Sequence, residues 1–277
     1  MGIISAGQDA GQSGVSPKNE TLERIQAALD AAIQTLAPFV PGKVKAEQKP
    51  RGRGPVTEAD RQVNRILRKT LVKGGDGWLS EETIDDTARL DKRRVWVVDP
   101  LDGTKEFVAG IPEWCVSIAL VEDGRAIAGG IANPATGETF LGSRKLGVTY
   151  NGCPAQPTRK NSLNAAMVLA SRSEVGGGEW TKFENAPFSF RPMGSIAYKL
   201  ALVSAGLADA TWTLQPKNEW DIAAGVALVE AAGGVVQFLP DKKPTFNNKA
   251  TLLPGLFACG AHLRSSVQSF LQPYLSA

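Results

Sequence analysis

Histidine is almost missing: His262 is the only one among 277 residues. Imidazole is the ordinary side chain that titrates near neutrality, so a mechanism using it as base or nucleophile has a single candidate. That candidate opens the last helical segment with no acid beside it, and no nucleophile-elbow sequence accompanies it. Cysteine is scarce too. Cys115, Cys153 and Cys259 are widely spaced, odd in number and outside any metal-ligand pattern. They exclude a disulfide scaffold and a zinc site, and predict free thiols in a reducing, cytoplasmic compartment. No apolar run approaches the roughly 20 residues of a membrane span. A net charge of +3 is too small to argue for a nucleic-acid polymer. Residues Met1 to Ser16 are rich in Gly, Ser and Gln, with neither the basic start nor the apolar core of a signal peptide. Met1-Gly2-Ile3-Ile4-Ser5-Ala6 misses the myristoylation pattern, because Ala6 stands where Ser or Thr is needed. A disordered tail is expected over residues 1–18.

What remains is an ordinary globular composition, 43% hydrophobic and 21% charged, whose chemistry has to run on carboxylates, hydroxyls and metal. The informative stretch is Arg94-Val95-Trp96-Val97-Val98-Asp99-Pro100-Leu101-Asp102-Gly103-Thr104. Arg94 to Val98 read as a buried strand. Asp99 and Asp102 follow where Pro and Gly force a bend. Two carboxylates about 4 Å apart repel by roughly 4 kcal/mol at an effective dielectric of about 20, and hard divalent cations are the natural remedy. Thr104 is placed to cap a short helix at Lys105-Glu106-Phe107, whose free N–H groups suit a phosphate. Glu122-Asp123-Gly124-Arg125, between two alternating apolar runs, reads instead as a plain hairpin turn.

Elsewhere, Leu22, Ile25, Leu29, Ile33 and Leu36 have helical spacing, ended by Pro38 and Pro41. Residues 41–55 form a basic loop. Thr57 opens a second helix, with Asp60 at the capping-box position. Trp78 to Glu82 is a short strand ending in two acids. A meander follows, up to a turn at Tyr150-Asn151-Gly152. Beyond it strands alternate with helices, among them Ser195 to Ala205 and Asp221 to Ala232, with Asp221 read as N-cap of the latter. The pattern predicts layered α/β structure. An N-terminal α+β lobe is expected over 19–152, with most of the acids. A C-terminal α/β lobe is expected over 153–277, with Asp221. Because the Asp221 helix is almost wholly small and apolar, the acid at its mouth points into protein and needs partners.

Taken together, Val56-Thr57-Glu58-Ala59-Asp60, Ser80-Glu81-Glu82, Asp99-Pro100-Leu101-Asp102-Gly103-Thr104, Gly194-Ser195 and Trp220-Asp221-Ile222-Ala223-Ala224-Gly225 occur in the order seen in the inositol-monophosphatase-like, lithium-sensitive, magnesium-dependent phosphatases. The chain resembles that superfamily from Asn19 to its C-terminus. The resemblance implies the layered α-β-α-β-α sandwich of the inositol monophosphatase and fructose-1,6-bisphosphatase type, with the site between the lobes. It implies that Glu81, Asp99 and the Leu101 carbonyl hold one Mg²⁺ and that Asp99, Asp102 and Asp221 hold a second. A third, weaker ion is placed near Glu81 and Asp60. Asp60 and Thr104, with Glu81, would orient the attacking water, while Gly103, Thr104, Gly194, Ser195 and Asp221 contact the phosphorylated substrate. It also implies a monomer or homodimer.

Within the superfamily, Lys105-Glu106-Phe107 and Ser195-Ile196-Ala197-Tyr198-Lys199 resemble the 3′(2′),5′-bisphosphate nucleotidases, in which Lys105 and Lys199 would serve the substrate and Lys199 would meet its second phosphate. Arg51 and Arg53 are further candidates for that phosphate. The inositol branch places an acid for sugar hydroxyls seven residues before the helix-opening Asp, and here that position is Leu214. The chain departs from the nucleotidase pattern at Glu174 and Thr213, where that branch has a His near the base and an Arg at the 5′-phosphate. Hydrolysis of 3′-phosphoadenosine 5′-phosphate is therefore expected. Sugar or polyol phosphate hydrolysis is the alternative within the fold, and a non-catalytic phosphometabolite-binding protein the alternative outside catalysis.

Overall fold

The computed structural model describes residues 17–49, 54–239 and 242–275. Arg51 and Arg53 lie outside the described residues, as does the expected tail up to residue 16. Helix α1 (Pro17–Leu36) begins inside the stretch expected as tail. The other helices are α2 (Glu58–Leu71), α3 (Thr104–Ala109), α4 (Arg172–Gly176), α5 (Ile196–Ser204), α6 (Glu219–Ala231) and α7 (Arg264–Leu271).

The helical spacing in α1 serves to bury Ile25, Leu29 and Leu36 against Val63, Leu67 and Leu71 of α2. Together the two helices cover one face of a seven-stranded sheet. Its second strand, Arg94–Asp102, next to the edge strand Gly77–Ser80, is buried on both faces. With a side-chain period of two, Trp96 and Val98 enter the α1–α2 layer while Val95 and Val97 enter the layer beyond. The neighbouring strand Cys115–Glu122 divides likewise, sending Val116, Ile118 and Leu120 one way and Cys115, Ala119 and Val121 the other. Burial on two faces explains why these strands read as continuous apolar runs.

The central layer is α5 and α6, packed between the seven-stranded sheet and a five-stranded sheet of Ser189–Met193, Met167–Ser171, Ala210–Thr213, Leu256–Gly260 and Gly234–Phe238, in that spatial order. The far face of this second sheet is closed by α7 and the aromatic group Trp180, Phe183, Phe188 and Trp212. The layers therefore run α-β-α-β-α. The expected hairpin is present: Asp123 and Gly124 both have positive φ (48° and 75°) between Cys115–Glu122 and Arg125–Asn133.

Candidate active site

A regular strand puts residues three apart on opposite faces, so Asp99 and Asp102 would diverge. They do not, because Asp99 pairs with Ser117 while Asp102 pairs with Cys115: one extra residue is inserted between them. Such a bulge restores a common face and bends the strand, and Pro100, having no N–H to give the ladder, suits the interruption. The strand expected to end at Val98 thus continues to Asp102. Gly103 then turns the chain at φ 96°, where a Cβ would lie 2.8 Å from the Glu113 carbonyl oxygen and 3.1 Å from Trp114 Cα. Only glycine fits this turn.

Thr104 is the first residue of α3 and does not cap it. Gly103 holds the cap position, and the Thr104 hydroxyl faces Asp60 Oδ1 at 3.1 Å and the Leu101 carbonyl at 3.0 Å. Asp60 is buried. Its other oxygen, Oδ2, accepts the Thr57 N–H at 2.7 Å, closing the expected capping box at the start of α2. Asp221 uses the same device, in a helix that is capped three residues earlier than expected: Asn218 is the N-cap, Asp221 is the third residue of α6, and its Oδ2 accepts the Asn218 N–H at 2.8 Å. In both helices one carboxylate oxygen is fixed by the helix start.

Asp102 is gripped from the C-terminal half of the chain. Its Oδ2 accepts the Ser195 hydroxyl at 2.6 Å and the Ala197 N–H at 2.8 Å. Ser195 sits at φ 47°, a left-handed conformation that costs a non-glycine residue about 1–3 kcal/mol. The surrounding loop over-determines it. Gly194 donates to Glu113 Oε2 at 2.8 Å, and the buried Lys199 ammonium donates at 3.1 Å to the carbonyls of Met193, Gly194 and Ser195. Burial pulls Lys199 down to about 8, against the raising effect of Asp102. With three hydrogens on three carbonyls, Lys199 has none left for the second phosphate expected there; it shapes the loop.

Asp99, Asp102 and Asp221 offer carboxylate oxygens that all lie within 4.8 Å of one another. They line a cleft of about 230 Å³ with Glu81, Leu101, Gly103, Thr104, Lys105, Gly194 and Ser195. Burial, and then the charges of Glu81, Asp102 and Asp221, push Asp99 well above the usual carboxylate range. Burial, then Asp102 and Glu81, do the same to Asp221. Burial raises Asp102 as well, although Ser195 and Ala197 oppose it. Acids arranged to repel one another in a cleft are a site for a cation, and three carboxylates with a nearby backbone carbonyl are the hard oxygen donors that Mg²⁺ takes. The donor set fits that ion.

Glu81 lies beside this cluster and not within it. Its Oε1 is paired at 2.5 Å with the ammonium of Lys49, which also meets Glu82 Oε1 at 2.5 Å. Burial raises Glu81, Lys49 opposing, and the two acids outweigh burial to raise Lys49. Lys49 belongs to the basic loop expected over residues 41–55, and nothing local marks it, since its partners are 32 and 33 residues away. Sequence reasoning also passed over Glu113, which ties Arg172 at 2.6 Å to the Gly194 turn, and over Lys217, whose only signal is its place four residues before Asp221.

Residues 18–269 match the model of the Inositol monophosphatase family. The chain belongs to this family. An inositol-1-monophosphatase of Rhizobium meliloti (strain 1021) is 34% identical over 188 residues, which are 65% of this chain and 70% of that protein. The crystal structure of extragenic suppressor protein SuhB from Bartonella henselae superposes with a TM-score of 0.77 at 28% identity, over 91% of this chain and 98% of that one. CysQ from Bacteroides thetaiotaomicron, a bacterial member of the inositol monophosphatase family, gives 0.72 at 25% identity over 87% and 97%. The chain is therefore an inositol monophosphatase family phosphatase; that family is generally Mg²⁺-dependent, and a small phosphorylated substrate is consistent with it. Among the described residues no helix is long and apolar enough to cross a membrane.

Proposed function

We propose that the protein is a Mg²⁺-dependent phosphomonoesterase acting on a small substrate that carries a second anionic group, most closely a 3′(2′),5′-bisphosphate nucleotide. The observation that carries the catalytic part is the convergence of Asp99, Asp102 and Asp221 from two distant segments onto one cleft, beside the Thr104–Asp60 pair. In this reading Asp99, Asp102, Asp221, the Leu101 carbonyl and the free oxygen of Glu81 hold Mg²⁺, in two to three positions. Mg²⁺ held by these residues would neutralise the carboxylates and supply Lewis-acid stabilisation of the phosphoryl charge. Thr104 Oγ1 accepts a hydrogen bond from the attacking water while its own hydrogen rests on Asp60 Oδ1. The proton released by attack therefore has a route to the Asp60 carboxylate. Gly103 and the Gly194–Ser195 turn shape the wall against the phosphate. Phosphoryl transfer needs positioning and charge stabilisation more than a covalent intermediate, which suits a cleft without a histidine.

The substrate half of the proposal rests on two features of the wall. Lys105 is exposed beside the acids with its ammonium unpaired among the described residues. Leu214, in the place suited to an acid that would read polyol hydroxyls, instead packs against the aromatic layer. The relatives named inositol-1-monophosphatase favour the second reading, a polyol phosphate. Phosphate release from 3′-phosphoadenosine 5′-phosphate, myo-inositol 1-phosphate and fructose 1,6-bisphosphate separates them. All turnover should require Mg²⁺, with kcat/KM highest for the nucleotide. A decisive preference for the inositol ester would overturn the substrate assignment, and turnover undiminished in EDTA would overturn the mechanism.

A further inference from the structure

We propose that Lys217 is the residue that recognises the second, non-scissile phosphate of the substrate. Four cationic side chains among the described residues line the cleft: Lys105, Arg172, Lys199 and Lys217. Two are spent. Lys199 donates to three carbonyls, and Arg172 is held by Glu113 at 2.6 Å and 3.2 Å. Lys105 follows Asp102 by three residues, on the wall where the scissile phosphate would sit. Lys217 stands on the other wall, in the two-residue strand Lys217–Asn218 that pairs with Leu252–Leu253 and feeds directly into α6 and Asp221.

The Lys217 ammonium is held without being used up. Its one partner among the described residues is Glu174 Oε1, at 3.5 Å, so two of its three hydrogens find no acceptor there. Glu174 is itself anchored: its Oε1 accepts the Thr213 hydroxyl, its Oε2 accepts Trp180 Nε1 at 3.3 Å, and its side chain is only 7% exposed. Thr213 and Glu174 thus form a buried platform whose visible end is one ammonium, 22% exposed, facing the cleft. Burial raises Asp102 and Asp221, and the Lys217 charge is near enough to oppose part of that rise. A phosphomonoester held at the acids therefore meets a second positive charge along this wall. Recognition there selects phosphomonoesters bearing another phosphate over those bearing only hydroxyls.

This assignment rests on the phosphatase reading above, but its test separates the two. Adenosine 3′,5′-bisphosphate and adenosine 3′-monophosphate differ only in the second phosphate. Their affinities are measured by calorimetry in Ca²⁺, and their turnover at saturating Mg²⁺. A charge-assisted hydrogen bond of the usual strength predicts that Lys217→Met weakens the bisphosphate by roughly 10- to 100-fold, in Kd and KM. The monophosphate should change less than about threefold, and Lys217→Arg should retain the preference. Should the unpaired Glu174 unfold Lys217→Met, the double variant Lys217→Met/Glu174→Gln removes both charges and must show the same selective loss. Equal weakening of both ligands, or none, would overturn the assignment and leave Lys217 as a counter-ion for Glu174. Because affinity is read in Ca²⁺, a wild-type protein that binds selectively through Lys217 without turnover would contradict the phosphatase reading and uphold Lys217.

Discussion

Asp102→Asn is expected to lower Mg²⁺-dependent phosphate release by roughly 10³-fold while leaving the protein folded. A cation at a transferring phosphoryl group stabilises the transition state by several kcal/mol, and each 1.4 kcal/mol is tenfold in rate. The substitution keeps an oxygen that can still accept from Ser195 and Ala197 at the position of Oδ2, so the strained Ser195 turn and the start of α5 keep their anchor. What it removes is one negative charge from the cluster. Steady-state kinetics across a Mg²⁺ titration, with circular dichroism on the same preparation, measures both halves. Activity within a few-fold of wild type at saturating Mg²⁺ would remove Asp102 from the reaction.

The second large effect has the opposite sign. Asp99→Asn should abolish activity and yet stabilise the metal-free protein. Asp99 is buried, its favourable contact is the Leu101 N–H at 2.9 Å, and Glu81, Asp102 and Asp221 all oppose its charge. Carboxylate oxygens within 4.8 Å of one another repel by roughly 3 kcal/mol per pair at an effective dielectric of about 20. For a chain of this size 1 kcal/mol moves the melting temperature by about 2–4 °C. In EDTA the variant should therefore melt on the order of 5–10 °C above wild type, and added Mg²⁺ should stabilise it far less. The pH dependence follows from the direction of the shifts. A carboxyl raised by folding contributes its stability fully below its unfolded pKa of about 4, and that contribution is lost as pH rises through the raised value. Metal-free wild type should gain stability as pH falls from neutrality towards about 5, and Asp99→Asn should follow a flatter course. An unchanged or lower melting temperature for the variant in EDTA would mean that the acids do not strain one another.

The parts of the fold legible in the sequence are those decided locally. Ile25, Leu29 and Leu36 gave α1 its buried face through spacing alone, and Asp123-Gly124 could only be a hairpin turn between two alternating runs. Thr57 and Asp60 sit three apart, so the capping box was readable too. The misreadings concern which partner a side chain takes. Thr104 looked like a cap but turns to Asp60, 44 residues away. Asp221 looked like an N-cap, but the helix is capped three residues earlier, at Asn218, itself a favoured cap residue. Lys199 looked like an anion contact until the loop at Met193 to Ser195 folded back over its ammonium. The bulge between Asp99 and Asp102 depends on the pairing of that strand with Cys115–Glu122. Pro100 hints at an interruption without fixing its size.

Locating the ion tests the central claim most directly. Anomalous scattering from Mn²⁺ substituted for Mg²⁺ should place at least one peak within coordination distance of Asp99, Asp102 and Asp221 together. Mn²⁺ bound only elsewhere on the protein, with those three carboxylates left empty at a concentration that supports phosphate release, would contradict it.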